Sequence, residues 1–115
     1  MTTTDLAKLA DDLLGQAASA SAHRAAETLH GGSDQALRQT VIALTAGSAL
    51  DEHESPGEAT LQVLRGQVQL HAGGESTSLG EGQLATIPPE RHSLSADADS
   101  VVLLTVVKHV SGADA

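Results

Sequence analysis

Histidine is the residue type through which this chain could most readily do chemistry, because it has six histidines and no cysteine. A neutral imidazole can bind a divalent cation, exchange a proton or orient a ligand. Other catalytic signatures are absent from the sequence: there is no cysteine nucleophile, no Gly-x-Ser-x-Gly elbow and no glycine loop of the kind that cradles phosphate. Function therefore depends on which histidines the fold brings together.

Four of the six histidines are expected to lie away from an interior site. His23 falls in a linker and His109 near the end of the chain, where solvation is the simplest interpretation. His71 alternates with Val68 and Leu70 and so faces outward. His30 abuts a Gly-Gly turn, from which it could still reach the mouth of the fold.

His53 and His92 are the candidates for an interior site. His53 closes a strand before the predicted turn at 55–57, on the same alternation parity as the inward Leu61 beyond it, and His92 shares parity with Leu94. A buried imidazole is costly unless a hydrogen bond or a metal satisfies it. We therefore predict that the two rings are neighbours that share one ligand. The alternative is a pair of neutral imidazoles that hydrogen-bond to backbone and shape a pocket.

A helix and a series of short strands must position these residues. Residues 4–18 carry leucine and alanine at helical spacing, which predicts an amphipathic helix with Thr4 as N-cap and Asp5 at the positive end of its dipole. Arg65-Gly66 has the form of a two-residue hairpin loop, which would set Val63 opposite Val68. Roughly eight strands are indicated. The clearest are 24–30, 37–46, 58–64, 67–70, 76–79, 83–87, 92–96 and 101–107.

The composition limits the possible partners. A net charge of −9 with six scattered Lys and Arg residues argues against nucleic acid and anionic membranes, and no segment resembles a signal peptide or a membrane span. We therefore expect a soluble, cytoplasmic protein, and the lack of cysteine fits a reducing compartment. Phe, Tyr and Trp are also absent, so a ligand cannot stack on an aromatic ring. The apolar run at 101–107 and the leucine stripe of the helix both need cover, which predicts a homodimer.

The stretch at 47–66 resembles the first sequence motif of the cupins, in which Gly, His-x-His, Glu and Gly follow one another at set spacing. Gly47, His53 and Gly66 match, whereas Ser55 and Ala59 stand at the second His and the Glu. The second cupin motif is echoed by Gly82, Pro88 and His92, one residue short and with Glu90 in place of a Gly. The resemblance covers about residues 38–107.

This resemblance implies an all-β fold, a cupin-type double-stranded β-helix or jelly-roll barrel with an N-terminal helix. The expected division is helix and linker at 1–22, one barrel domain at 23–110 and a tail at 111–115. In this fold the two motifs bring their histidines together, so the resemblance implies His53 and His92 as ligands of zinc, iron, nickel or manganese. Further ligands could come from His30, or from a nearby Glu54, Glu58, Glu90 or Gln62.

Two functions remain open at this point. One is a non-catalytic domain that binds a small molecule or a divalent metal inside the barrel, which the substitutions at Ser55 and Ala59 favour. The other is a metal-dependent enzyme, oxygenase-like by analogy with the family, that uses His53 and His92.

Overall fold

The structure is a computed structural model that describes residues 1–54 and 57–108. One helix, α1 (Leu6–Ser19), precedes nine strands in the described chain. The strands are β1 (Arg24–His30), β2 (Leu37–Leu44), β3 (Ala49–His53), β4 (Gly57–Arg65), β5 (Gln67–Ala72), β6 (Glu75–Gly80), β7 (Leu84–Ile87), β8 (His92–Ala96) and β9 (Ser100–Lys108). The predicted turn residues Ser55 and Pro56, and His109, lie outside the described residues.

The strands form two antiparallel sheets that pack face to face. The larger sheet has the order β1-β2-β9-β4-β7, and the smaller sheet has the order β3-β8-β5-β6. Their inward apolar side chains form a shared core that includes Leu44, Leu61 and Val102 from the larger sheet and Val68 and Leu94 from the smaller. This arrangement confirms the predicted all-β jelly roll with an N-terminal helix.

The helix packs on the outer face of the larger sheet. Its stripe buries Ala10, Leu13 and Ala17, which form a second cluster with Val41 and Val101. The apolar run of β9 is thus covered on one face by the opposite sheet and, over its first half, by the helix. The N-cap is Asp5 rather than the predicted Thr4, since the Asp5 carboxylate accepts a hydrogen bond from the Lys8 backbone N–H at 3.1 Å.

The predicted hairpin at Arg65-Gly66 is wrong. Strand β4 pairs with β7 and β9, whereas β5 pairs with β6 and β8, so the two consecutive strands belong to different sheets. Gly66, with φ of +86°, turns the corner between them. Val63 and Val68 both belong to the core between the sheets, but they are not cross-strand partners.

Candidate functional site

His53 and His92 lie side by side at one end of the smaller sheet. His53 is the last residue of β3 and His92 the first of β8, and the two are cross-strand partners. Their ring centroids are 4.4 Å apart with the planes at 64°, an edge-to-face arrangement. A register irregularity in β3 between Leu50 and His53 precedes the pair. His92 is 5% exposed and His53 is exposed, so the pair extends from the core to the surface.

Each ring is held by a backbone carbonyl two residues earlier. His53 Nδ1 lies 3.1 Å from the carbonyl oxygen of Asp51, and His92 Nδ1 lies 2.9 Å from that of Glu90. A carbonyl oxygen can only accept, so Nδ1 of each ring carries the hydrogen. In the neutral imidazole this leaves the lone pair on Nε2, and neither Nε2 has a hydrogen-bond partner among the described residues. Both rings are thus preset to accept a hydrogen bond, or to bind a cation, through Nε2.

The pair opens onto a cavity of about 310 Å³ between the two sheets. Its walls combine the two imidazoles with aliphatic side chains and a few charged groups. The lining residues are Arg38, His53, Glu54, Ala59, Ile87, His92, Leu104, Val106 and Lys108. We call this cavity the mouth pocket. Small-molecule sites typically have such mostly apolar walls with a few placed polar groups, and this volume is near the lower end of their range.

An ion-pair cluster borders the mouth pocket on its solvent side. Arg91, next to His92, donates to the Glu52 carboxylate at 2.8 Å and approaches that of Glu54 at 3.6 Å. The hydrogen bond and the charge of Glu52 raise the pKa of the Arg91 guanidinium above its usual value, with a smaller contribution from Glu54. The Glu54 carboxylate is therefore engaged by a cation and not by the imidazoles.

The remaining candidate ligands lie elsewhere. His71 is on the outer face of the smaller sheet, where its Nδ1 and Nε2 contact the hydroxyls of Ser76 at 2.6 Å and Ser95 at 2.9 Å. His30 lines a separate hollow beside the helix, and His23 lies in the turn before β1.

The other acidic and amide candidates do not reach the imidazoles either. Glu58 pairs with Val107 on the outer face of the larger sheet and lines a hollow of about 550 Å³ whose lining includes neither histidine. Gln62 lies on that same face, paired with Leu84 and Leu103. Glu90 contributes its backbone carbonyl to His92, while its carboxylate lies against Gly73.

The donor set of the mouth pocket does not complete a metal site from protein side chains. In the described ranges 1–54 and 57–108, no group of three or more His, Cys, Asp or Glu residues is placed to hold a metal ion. Ala59, which stands at the Glu position of the cupin motif, lines the same pocket and offers only a methyl group. Two imidazoles would leave a cation to take most of its ligands from solvent or from a bound molecule.

Two cationic residues of the pocket, Arg38 and Lys108, were not among the predicted site residues. Arg38 shares strand parity with Ile42, which packs on the core, and is cross-strand partner to Val106. The alternation within β2 was therefore a signal that Arg38 faces inward. Lys108 lies at the end of β9, where only the strand pairing shows that it reaches the pocket.

Comparisons with known proteins agree on the fold. No family model matches the chain, and no curated protein matches it. A conserved protein of unknown function from Streptococcus pyogenes has 31% sequence identity and a TM-score of 0.71, over 78% of each chain. A cupin superfamily protein from Desulfitobacterium hafniense has 14% identity and a TM-score of 0.69, over 75% of this chain and 78% of its own.

An enzyme also shares the fold. Salicylate 1,2-dioxygenase from Pseudaminobacter salicylatoxidans has 21% identity and a TM-score of 0.73 over 87% of this chain, which corresponds to 33% of the dioxygenase.

No helix among residues 1–54 and 57–108 is long and apolar enough to span a membrane. With its two packed sheets, N-terminal helix and paired motif histidines, the chain has the cupin fold and belongs to the same family as the S. pyogenes protein: it is a small cupin.

Proposed function

We propose that this small cupin binds a small organic molecule in the mouth pocket and acts as a non-catalytic binding domain. The observation that carries the proposal is the pair of Nε2 atoms, on rings 4.4 Å apart, that both lack a partner among the described residues. Neither Nε2 is among the buried polar atoms that lack a partner in the described residues, so both are reachable from the pocket, and a ligand with a hydrogen-bond donor would take the place of solvent there. The aliphatic wall of Ile87, Leu104 and Val106 would cover the rest of the ligand.

The loss of the motif carboxylate supports binding over catalysis. Ala59 lines the pocket where the cupin motif has a Glu, and Glu54 is paired with Arg91. Without that carboxylate, the two imidazoles alone would hold a catalytic metal weakly, because a firm site needs three or four ligands. We therefore assign the imidazoles the role of orienting a ligand.

A nuclear magnetic resonance screen tests the proposal. Small neutral, anionic and cationic organic compounds would be added to ¹⁵N-labelled protein, and we expect binding compounds to shift the backbone amide resonances of β3, β8 and the end of β9. His92→Ala should abolish those shifts, whereas His30→Ala, which removes an imidazole outside the pocket, should retain them. Shifts that are unaffected by His92→Ala, or none in any compound class, would contradict the proposal.

The alternative is a metal-dependent, oxygenase-like enzyme in which His53 and His92 bind zinc, iron, nickel or manganese. The free Nε2 atoms favour it, and so does the fold shared with a dioxygenase. Elemental analysis of protein purified without an affinity tag separates the two functions. A stoichiometric metal that is lost in both His53→Ala and His92→Ala would establish the metal site, since a site with two protein ligands has none to spare.

We propose further that two copies of the chain associate through the part of the larger sheet that the helix leaves uncovered. Three exposed large apolar residues of the chain lie on this uncovered part of the sheet: Leu37, Leu84 and Val107. Among the nine residues that form this uncovered face, named in the next sentence, Glu58 is the one ionisable side chain, although the chain carries a net charge of −9. The set, which we call the outer-sheet patch, is Leu37, Gln39, Glu58, Thr60, Gln62, Leu84, Thr86, Thr105 and Val107.

Depletion of charge with retention of apolar groups is typical of the centre of a protein interface. A second copy would present the same surface with Glu58 as its one ionisable side chain, and so avoid much of the repulsion that two strongly acidic surfaces would produce. The mass measured by light scattering at micromolar concentration tests the proposal. A monomer at all concentrations would reject it.

A further inference from the structure

The mouth pocket carries more positive charge than the rest of this acidic chain leads one to expect. Arg38 and Lys108 both line it. Elsewhere, Arg65 pairs with Asp11 at 3.5 Å and Arg91 pairs with Glu52. Neither Arg38 nor Lys108 has a carboxylate partner among the described residues, although the chain contains 15 Asp and Glu.

The two cations are set on the wall that faces the histidines. Arg38 pairs across β2 and β9 with Val106, and Lys108 lies two residues further along β9. Both strands belong to the larger sheet, whereas His53 and His92 belong to the smaller. A ligand in the pocket therefore meets cations on one side and hydrogen-bond acceptors on the other.

The one carboxylate of the pocket does not neutralise these cations. The Glu54 carboxylate lies 3.6 Å from the Arg91 guanidinium and forms no ion pair with Arg38 or Lys108 among the described residues. The Lys108 ammonium donates to the backbone carbonyl of Gly32 at 2.7 Å, which fixes the lysine but leaves its charge uncompensated. The Arg38 guanidinium donates to no other residue in the described ranges 1–54 and 57–108, and its donors suit a carboxylate.

We infer that the ligand of the mouth pocket is a small organic acid that also carries a hydroxyl group. This inference rests on the proposed function of the same pocket. The carboxylate would lie at Arg38 and Lys108, the hydroxyl would donate to Nε2 of the histidine pair, and a short aliphatic body would contact Leu104 and Val106. A cavity of about 310 Å³ corresponds to roughly ten water molecules in liquid volume, which suits an acid of roughly ten non-hydrogen atoms.

Three matched compounds separate the contributions. The probe is 2-hydroxy-4-methylpentanoate, 4-methylpentane-1,2-diol replaces its carboxylate by an uncharged group, and 4-methylpentanoate lacks its hydroxyl. Affinities would be measured from the shifts of pocket amide resonances in ¹⁵N-labelled protein. We expect the hydroxy acid to bind about tenfold or more tightly than the diol, since a hydrogen bond to a charged group is stronger than one between neutral groups. We expect the acid without the hydroxyl to bind more weakly than the hydroxy acid.

Two variants with the same change in charge test the assignment to Arg38. Arg38→Gln should weaken binding of the hydroxy acid about tenfold and leave that of the diol unchanged. Lys8→Gln, which removes an exposed cation on α1, should bind all three compounds as the parent protein does. Circular dichroism spectra of both variants would establish that they are folded.

The outcomes distinguish this inference from the proposed function. If the diol binds as tightly as the hydroxy acid, or if Arg38→Gln and Lys8→Gln behave alike, the pocket binds small molecules without selecting an anion, and the inference is overturned. If no compound of the wider screen shifts the pocket resonances, the proposed function fails as well.

Discussion

Replacing Gly66 by Ala should destabilise the protein more than the same change at a glycine with similar backbone torsion and open surroundings. Gly66 has φ of +86° and Gly74, in the turn between β5 and β6, has φ of +79°. A non-glycine residue in this region costs about 1–2 kcal/mol. A Cβ at Gly74 would meet nothing within 4 Å, whereas one at Gly66 would collide with the Ser100 hydroxyl and the Asp99 carbonyl and lie 2.9 Å from the Ser100 Cα.

The additional cost at Gly66 comes from the buried hydrogen bonds of Ser100. Its hydroxyl accepts from the Gln67 N–H at 3.1 Å and lies 2.7 Å from the Ala98 carbonyl. Displacing one such buried bond costs about 1–3 kcal/mol. We therefore expect Gly74→Ala to lose about 1–2 kcal/mol of unfolding free energy and Gly66→Ala about 2–5 kcal/mol.

Urea denaturation followed by far-ultraviolet circular dichroism measures both losses, since the chain has no aromatic residue to report by fluorescence. Ser100→Ala removes the same hydroxyl directly, so the double variant with Gly66→Ala should lose less than the two single losses added together. Equal losses of unfolding free energy for Gly66→Ala and Gly74→Ala would refute the reasoning, because they would mean that a Cβ at position 66 does not disturb the hydrogen bonds of Ser100.

Three other predictions follow from the packing and the pocket. Leu13→Ala should lose about 2–5 kcal/mol in the same urea assay, because Leu13 lies on the buried stripe of α1 and is 1% exposed. A loss under about 0.5 kcal/mol, the level of a surface change, would show that the helix is not docked. Val107→Lys should shift light-scattering mass from dimer to monomer by placing a charge in the outer-sheet patch, and an unchanged dimer would exclude that patch as the interface. Ala59→Glu, which adds a carboxylate beside the histidine pair, should raise the Zn²⁺ affinity measured by calorimetry about tenfold or more; unchanged affinity would mean that position 59 cannot complete a metal site.

Elements whose pattern is local were predictable from the sequence. The bounds of β1 at 24–30 and of β8 at 92–96 agree with the predicted strands, because alternation and the flanking turn residues define them without reference to the rest of the chain. The helix was predicted for the same reason, with an error of one residue at its N-cap.

The pairing of strands was not predictable from local pattern. A two-residue loop with glycine indicates a reversal of the chain, but it does not state whether the strands on either side join one sheet or two. At Gly66 the change of sheet coincides with close contacts to Ser100 and Asp99, which are more than thirty residues away in the sequence. The residues next to the loop give no indication of these contacts.

The residues of the candidate site also differ in whether they could be predicted from the sequence. His53 and His92 could be named because they match the motifs of a known family, and the structure brings them together. Arg38 and Lys108 match neither motif. Alternation within β2 indicates that Arg38 faces inward, but only the pairing of β2 with β9 shows that both cations reach the pocket. A motif thus located one wall of the pocket, and the wall that determines its charge depends on long-range pairing.

The position of β9 between β2 and β4 has a consequence for how the chain folds as it is synthesised. The smaller sheet is complete once Ala96 has left the ribosome, whereas the larger sheet lacks its connecting strand until Lys108 has emerged. Until then the helix lacks Val101, and the edges of β2 and β4 that pair with β9 have no partner strand. The larger sheet must therefore assemble after translation of β9, and ribosome-bound chains in which residues 1–99 have emerged from the exit tunnel but β9 has not should be cleaved by protease within β2 and β4.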